Sequence, residues 1–392
     1  MSNDTFTFST RLIHNENSVD RETGAVSVPI NHTSTFHQFD FDSFGKYDYA
    51  RSGNPTRDAL EETIAHLEGG VRGFAFASGM AAISTAFLLL SKEDHVVICE
   101  DVYGGTFRLV TQVLHRFGID HSFVDTTDLQ KLKESIQPNT KMIYVETPSN
   151  PLLKVTDLKE VCRIAKENNC LTFVDNTFLT PSLQRPLELG ADIVLHSATK
   201  FLSGHSDVVA GLAVVKDKEL GEKLYFLQNT FGSVLGVQDC WLVMRGLKTL
   251  DVRLKQSQAS AQRISEYLTT IHEVKHVYYP GLSDHEGASI HEQQSEGPGA
   301  VLSFRLEDAD TVKQFVSNLQ IPVFAVSLGA VESILSYPAK MSHAAMPQEE
   351  REARGIHDGL LRLSVGLENV DDLIKDFETA FEAIRKNKVE IN

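Results

Sequence analysis

The run Ile193-Val194-Leu195-His196-Ser197-Ala198-Thr199-Lys200 begins apolar and ends in small hydroxyl residues and a lysine. Read alone, Lys200 is a solvated cation at a strand exit, because lysine is almost never fully buried without a partner. Two other segments change that reading. Phe173-Val174-Asp175 closes the preceding apolar run on a carboxylate, 25 residues before Lys200. Phe74-Ala75-Phe76-Ala77-Ser78-Gly79-Met80-Ala81-Ala82 passes from an apolar run through a glycine turn into a helical pattern. Small residues at a helix N-terminus leave N–H groups and the positive dipole end open to a phosphate. A lysine that can bond to an aldehyde, a carboxylate that keeps a pyridine nitrogen protonated and a phosphate cradle are what pyridoxal phosphate requires.

These residues need a scaffold that brings them to one crevice. From about Gly73 to Gly211, short apolar runs alternate with helical patterns: Phe74–Phe76, Val96–Ile98, Met142–Val145, Leu171–Val174, Ile193–Leu195 and Leu212–Val215. Leu158, Val161, Cys162 and Ala165 keep the i, i+3, i+4, i+7 spacing of an amphipathic helix between two of them. Such alternation predicts an α/β fold, a mostly parallel sheet covered by helices on both faces. Ligands of such sheets bind beyond the carboxyl ends of the strands, where Asp175 and Lys200 fall. A long helical pattern from about Leu242 to Leu268 then leads into a smaller α+β region containing Val301–Phe304. Its last helix carries Leu373, Phe377, Ala380 and Ile384 on one face. The predicted division is an arm over 1–55, a cofactor-binding α/β domain over 56–245 and a C-terminal α+β domain over 246–392.

Composition excludes several function classes. The 392 residues carry 37 Lys+Arg against 53 Asp+Glu, a net charge of −16, which disfavours a nucleic-acid phosphate backbone as partner. Met1-Ser2-Asn3-Asp4-Thr5 lacks the basic and apolar pattern of a secretory signal. The most apolar stretch, Met80–Leu90, is far short of the roughly 20 residues a membrane span needs. Cys99, Cys162, Cys170 and Cys240 form no C-x-x-C pair and read as buried thiols of a cytoplasmic protein. G-x-G-x-x-G, G-x-x-x-x-G-K-[ST] and G-x-S-x-G patterns are absent. His291-Glu292 lacks the second histidine of H-E-x-x-H, and no histidine spacing predicts a metal site.

The motifs also carry a family resemblance. Ser197-Ala198-Thr199-Lys200-Phe201-Leu202-Ser203-Gly204-His205-Ser206-Asp207 resembles the lysine motif of the trans-sulfuration (Cys/Met metabolism) pyridoxal-phosphate enzymes. So do Tyr49-Ala50-Arg51-Ser52-Gly53-Asn54-Pro55-Thr56-Arg57, Ser78–Ala82, Asp101–Thr106, Glu146-Thr147-Pro148-Ser149-Asn150-Pro151, Val174–Thr177 and Leu361–Gly366, in the same order along nearly the whole chain. The resemblance implies the fold-type-I architecture of pyridoxal-phosphate transferases, and it implies roles. Lys200 bonds to the cofactor, takes the Cα proton and protonates the departing sulfur. Asp175 pairs with the ring nitrogen, and Tyr103 stacks on the ring. Gly79 and Met80 give N–H groups, and Ser197 and Thr199 hydroxyls, to the phosphate. Tyr49 and Arg51 reach into a neighbouring subunit's site, so the active unit is at least a dimer, commonly a homotetramer built as a dimer of dimers. Arg362 binds the substrate α-carboxylate as a bidentate fork, and Ser327 and Asn150 make the next layer of contacts. Alone, Tyr103 reads as core, Arg51 as surface charge and Asp175 as a turn carboxylate.

The family runs several reactions on one scaffold. Many γ-acting relatives carry Glu where this chain has Val326, beside Ser327. γ-Elimination needs a further proton shuttle from Cβ, which valine does not supply. The implied reaction is β-elimination of L-cystathionine to homocysteine, pyruvate and ammonia, in methionine biosynthesis. The alternatives are cystathionine γ-lyase or γ-synthase, methionine γ-lyase or O-acylhomoserine sulfhydrylase chemistry, and a regulatory protein that binds pyridoxal phosphate without turnover. Methionine γ-lyases share the apolar residue but resemble a pattern with Cys at the place of Gly105. Asp48 either meets the distal ammonium of cystathionine or is an exposed loop carboxylate.

Overall fold

The computed structural model describes residues 6–15, 17–344 and 346–391, the last four by backbone alone; the segment Met1–Thr5 lies outside the described residues. Seven strands form the larger sheet: β1 (Arg72–Phe76), β2 (His95–Cys99), β3 (Asp120–Val124), β4 (Thr140–Glu146), β5 (Leu171–Asp175), β6 (Ile193–Ser197) and β7 (Gly211–Val215). Their order is β1-β7-β6-β5-β4-β2-β3, with β7 antiparallel to β1 and β6 and the rest parallel. β2, β4, β6 and β7 are almost wholly buried, as continuous Val/Ile/Leu runs in a sheet covered on both faces must be.

Alternation along the strands divides the core in two. Val145, Val174 and Val194 pack with the helix Pro55–Glu68, whereas Tyr144, Phe173 and Leu195 pack with the helix Gly79–Phe87. The second face leads to the functional residues, because Glu146, Asp175 and Ser197 continue the series Tyr144, Phe173 and Leu195. The helix Leu158–Glu167 forms as its spacing predicts, capped by Asp157 and burying Val161, Cys162, Ile164 and Ala165.

A smaller sheet follows: β8 (His276–Tyr278), β9 (Val301–Arg305), β10 (Val323–Phe324), β11 (Ile334–Ser336) and β12 (Leu360–Ser364), in the order β10-β11-β12-β9-β8. Leu373, Phe377, Ala380 and Ile384 of the final helix are all fully buried against it.

Two details depart from the sequence expectations. The single helical pattern over 242–268 is two helices, Val237–Leu247 and Leu250–Thr269. They break at Lys248–Thr249, where Arg253 donates to the Gly246 and Phe201 carbonyls and so ties the joint to the loop after β6. The second helix starts among the residues of the larger core (Leu250, Leu254) and ends in the smaller one (Ala261, Ile264, Leu268). β3 is also additional. Its Asp-His-Ser-Phe-Val sequence is half-exposed at the sheet edge, which permits the polar residues that hide it from an apolar-run search.

Candidate active site

A cavity of about 420 Å³ opens where β4, β5 and β6 end. Lys200, Asp175, Gly79, Met80, Tyr103, Ser197, Thr199, Asn150, Ser327 and Arg362 all line it. Sequence-distant residues meet here because parallel strands deliver all their carboxyl ends to one edge.

The helix Gly79–Phe87 starts at the cavity wall. Ser78 caps it by accepting from the Ala81 N–H at 3.0 Å. The N–H groups of Gly79 and Met80 find no acceptor among the described residues. A Cβ on Gly79 would lie 2.9 Å from Ser197 Cβ, so glycine lets this helix end seat directly against the end of β6. Free N–H groups at a helix N-terminus, with the Ser197 and Thr199 side chains beside them, form an anion cradle.

Asp175 and Glu146 end β5 and β4 as register neighbours. Asp175 accepts from the Thr177 N–H at 3.0 Å, from the Thr177 hydroxyl, and from the Tyr144 hydroxyl at 3.3 Å. Burial nevertheless raises its carboxyl above the usual carboxylate range. Among the described residues it has no ion-pair partner. A protonated ring nitrogen fits that vacancy in charge.

Lys200 sits in the turn after β6, its N–H donating to Ser197 O at 3.1 Å. Its Nζ donates to Ser327 Oγ at 2.6 Å. Burial, and then the positive charge of Arg362, lower the ammonium to about 8. Ser327 adopts φ +90°, a region L side chains rarely enter, at the turn that lays residues 326–329 against Lys200. Gly329, at φ +78°, lies so close that a Cβ would meet Phe201 N at 2.6 Å.

Arg362, buried on β12, donates to Asn150 Oδ1 at 2.7 Å, to the Ser327 carbonyl at 2.7 Å and to Ser336 Oγ at 3.2 Å. These bonds aim the guanidinium while its Nε has no partner among the described residues. Burial lowers Arg362 to about 10, so an arriving carboxylate would offset an existing desolvation cost.

Tyr103 caps the helix Gly104–Gln112, and its N–H is held by both oxygens of Glu146, at 3.0 and 3.1 Å. Glu146, Thr177 and Ser336 are structural supports that residue-by-residue reading did not assign. Glu146 and Thr177 lie within the quoted motifs, but only the strand register shows what they touch.

Tyr49, Arg51 and Asp48 do not join this cavity. Tyr49 is 46% exposed. The Arg51 guanidinium donates to the Asn229 carbonyl and side chain at 2.7 and 2.8 Å and lies over the Tyr49 ring. The Asp48 carboxylate accepts from the Tyr49 N–H at 2.5 Å and is exposed. All four cysteines are free and buried. No group of His, Cys, Asp or Glu among the described residues is arranged to hold a metal.

An aldehyde-reactive amine, an unpaired buried carboxylate and an anion cradle around one cavity therefore fit pyridoxal phosphate in number, charge and order. Comparison with known proteins agrees. The sequence profile of the Cys/Met metabolism PLP-dependent enzymes matches residues 9–382. A cystathionine β-lyase of Bacillus subtilis strain 168 is 69% identical over 384 residues, 98% of each chain. A cystathionine γ-lyase of the same strain is 51% identical, covering 96% of this chain and 99% of its own. The crystal structure of a Lactobacillus plantarum cystathionine γ-lyase complexed with L-serine superposes with a TM-score of 0.94 at 48% identity, covering 97% of this chain and all of the other. The chain belongs to the Cys/Met-metabolism family of pyridoxal-phosphate-dependent enzymes, with that family's fold-type-I architecture.

Proposed function

We propose that the protein is a carbon–sulfur lyase that cleaves L-cystathionine by β-elimination to homocysteine, pyruvate and ammonia. The observation that carries the reading is Val326. It lines the cavity next to Ser327, and its side chain offers no group to move a proton from Cβ. One acid–base group, Lys200, suffices for β-elimination, whereas γ-elimination needs a second transfer. The 69% identity to a cystathionine β-lyase supports the same choice. Gly105 adds to it, because a Cβ there would lie 2.4 Å from the Tyr103 ring and 2.7 Å from Met80 Sδ. A cysteine at that position would require the Tyr103 ring and the Met80 side chain to shift.

Bound pyridoxal phosphate supplies an electron sink for the pair left at Cα. The chain supplies the rest. Asp175 would pair with the ring nitrogen, Tyr103 would cover the ring, and Gly79, Met80, Ser197 and Thr199 would hold the phosphate. Arg362, aimed by Asn150, Ser327 and Ser336, receives the substrate carboxylate. Lys200, held by the Ser327 hydroxyl and kept easily deprotonated by burial and Arg362, takes the proton from Cα and returns it to the departing sulfur.

Tyr49 and Arg51 serve the site of a second copy of the chain, in a homotetramer built from dimers. The reading is supported by their exposure and by Phe39, Phe41 and Phe44, which are 94%, 92% and 71% exposed in the same arm. It fits the division into an arm (1–55), a cofactor domain (56–245) and a C-terminal domain (246–392). Four free buried thiols support a reducing cytoplasmic setting, and no described helix is long and apolar enough to cross a membrane. Incubating the pure protein with cystathionine and identifying the keto acid tests the assignment. Pyruvate is expected; 2-oxobutyrate would overturn it in favour of γ-lysis, and no keto acid would leave a binding protein.

A further inference from the structure

Glu146 is the ionisable group of the cavity floor that the proposed reaction leaves without a role. It faces Asp175 in the β4–β5 register, and both side chains line the cavity. Neither has an ion-pair partner among the described residues. Two buried carboxyls at neighbouring register positions each disfavour the other's ionised form, which favours one proton held between them. The donors around them decide where it resides. Asp175 receives the N–H and hydroxyl of Thr177 and the Tyr144 hydroxyl. Glu146 receives the Tyr103 N–H, shared by its two oxygens, and shares the Tyr144 hydroxyl with Asp175. No cation among the described residues forms an ion pair with Glu146, although Lys200 and Arg362 line the same cavity. The Cys99 sulfur accepts from the Glu146 backbone N–H at 3.3 Å, and Asp101 is engaged by Ser149. The two Thr177 donors belong to Asp175 alone, so the anion is better held there and the proton goes to Glu146.

We infer that Glu146 is a positioning residue that works as a neutral acid, leaving the negative charge to Asp175 while pinning the Tyr103 backbone so that its ring covers the cofactor. The inference rests on the cofactor placement proposed above. Burial and the facing Asp175 push the Glu146 carboxyl well above the usual range, in the required direction. Gly105 allows the arrangement, since a Cβ there would lie 2.4 Å from the Tyr103 ring.

Titrating cofactor-free protein with pyridoxal phosphate, followed by visible circular dichroism of the bound cofactor, tests this. Glu146→Gln keeps a neutral acceptor for the Tyr103 N–H. It is expected to bind cofactor within about threefold of wild type and to retain the dichroic band, because a neutral hydrogen bond is conserved. Glu146→Ala leaves that N–H unpaired and is expected to weaken binding about tenfold and diminish the band. Loss in Glu146→Gln as large as in Glu146→Ala would overturn the neutral role. A Glu146→Ala protein identical to wild type would overturn the positioning role. If Glu146→Ala does not fold, the infrared difference between wild type and Glu146→Gln decides. A protonated-carboxyl band in wild type that vanishes in Glu146→Gln is expected, and its absence from wild type overturns the inference. Failure of the cofactor placement has a separate signature, since wild type itself would then not saturate.

Discussion

The cavity floor and the N-terminal arm both carry residues matching one family's motifs, yet they differ in how far a single chain completes them. At the floor, every polar group that faces the cavity from β4 and β5 is met by a second residue of the same chain. Asp175 has Thr177 and Tyr144, and Glu146 has the Tyr103 N–H. In the arm, Tyr49 stands exposed and Arg51 is bonded to Asn229 on the outer surface. Phe39 and Phe41 are almost fully in solvent. A parallel sheet brings its strand ends together within one protomer, because helical crossovers return every strand to the same edge. An arm has no such constraint, and its side chains acquire partners only from another surface.

The largest effect is expected from removing the amine at the floor. Lys200→Ala should lower turnover of cystathionine by about 10³-fold, the scale of a lost general acid–base group, and abolish the covalent cofactor absorbance. Retention of both would mean that the floor is not where the chemistry occurs.

Next comes the substrate fork. Arg362→Lys replaces a planar bidentate donor with a point charge and strands Asn150 Oδ1. KM should rise about 10- to 100-fold with a smaller change in kcat, as for the loss of a hydrogen bond to a charged group.

The arm provides the sharper comparison. Arg51→Ala should weaken cofactor binding about tenfold, the value of one charge-assisted hydrogen bond. Dissociating and reassociating it with the Lys200→Ala protein should restore activity above the sum of the two, because mixed dimers contain one site with both residues intact. No recovery would place Arg51 in its own chain's site.

The smallest effect is a shift of pH dependence. A protonated lysine does not attack an aldehyde, and burial with the Arg362 charge lowers Lys200 to about 8. The rate at which cofactor-free protein takes up pyridoxal phosphate should therefore rise as pH climbs through about 8 and level off above it. Arg362→Gln removes the lesser of the two causes, so the midpoint should move upward by less than about one unit. A midpoint near the ordinary lysine value in wild type would show that the floor is wetter than its burial implies.

Legibility followed the same division. Apolar runs located β1, β2, β4, β5, β6 and β7 because strands buried on both faces exclude polar residues. The same rule hid β3, whose half-exposed edge position tolerates Asp120, His121 and Ser122. The joint at Lys248–Thr249 was hidden because periodicity continues across it, and Arg253 enforces the break by reaching back to the Gly246 and Phe201 carbonyls. In the site, Lys200, Asp175 and the Ser78–Ala82 turn were readable as chemistry from residue type and order. Arg362 and the arm residues required the family resemblance, since a lone arginine in an apolar strand states a cost and not a purpose.

Residue types and their order carried the strand–helix alternation, the lysine and carboxylate at successive strand ends, the glycine-bearing helix start, and through these the cofactor and the family. Those features are local, and each depends on residue type and spacing within about ten positions. Folding in three dimensions places Glu146 opposite Asp175, brings Ser327 in a left-handed turn to Lys200, and sets Asn150 and Ser336 to aim Arg362. Such facts depend on register and on where chain segments up to 212 positions apart come to rest. Strand pairing and burial in three dimensions set those contacts, and hence the charge each group carries.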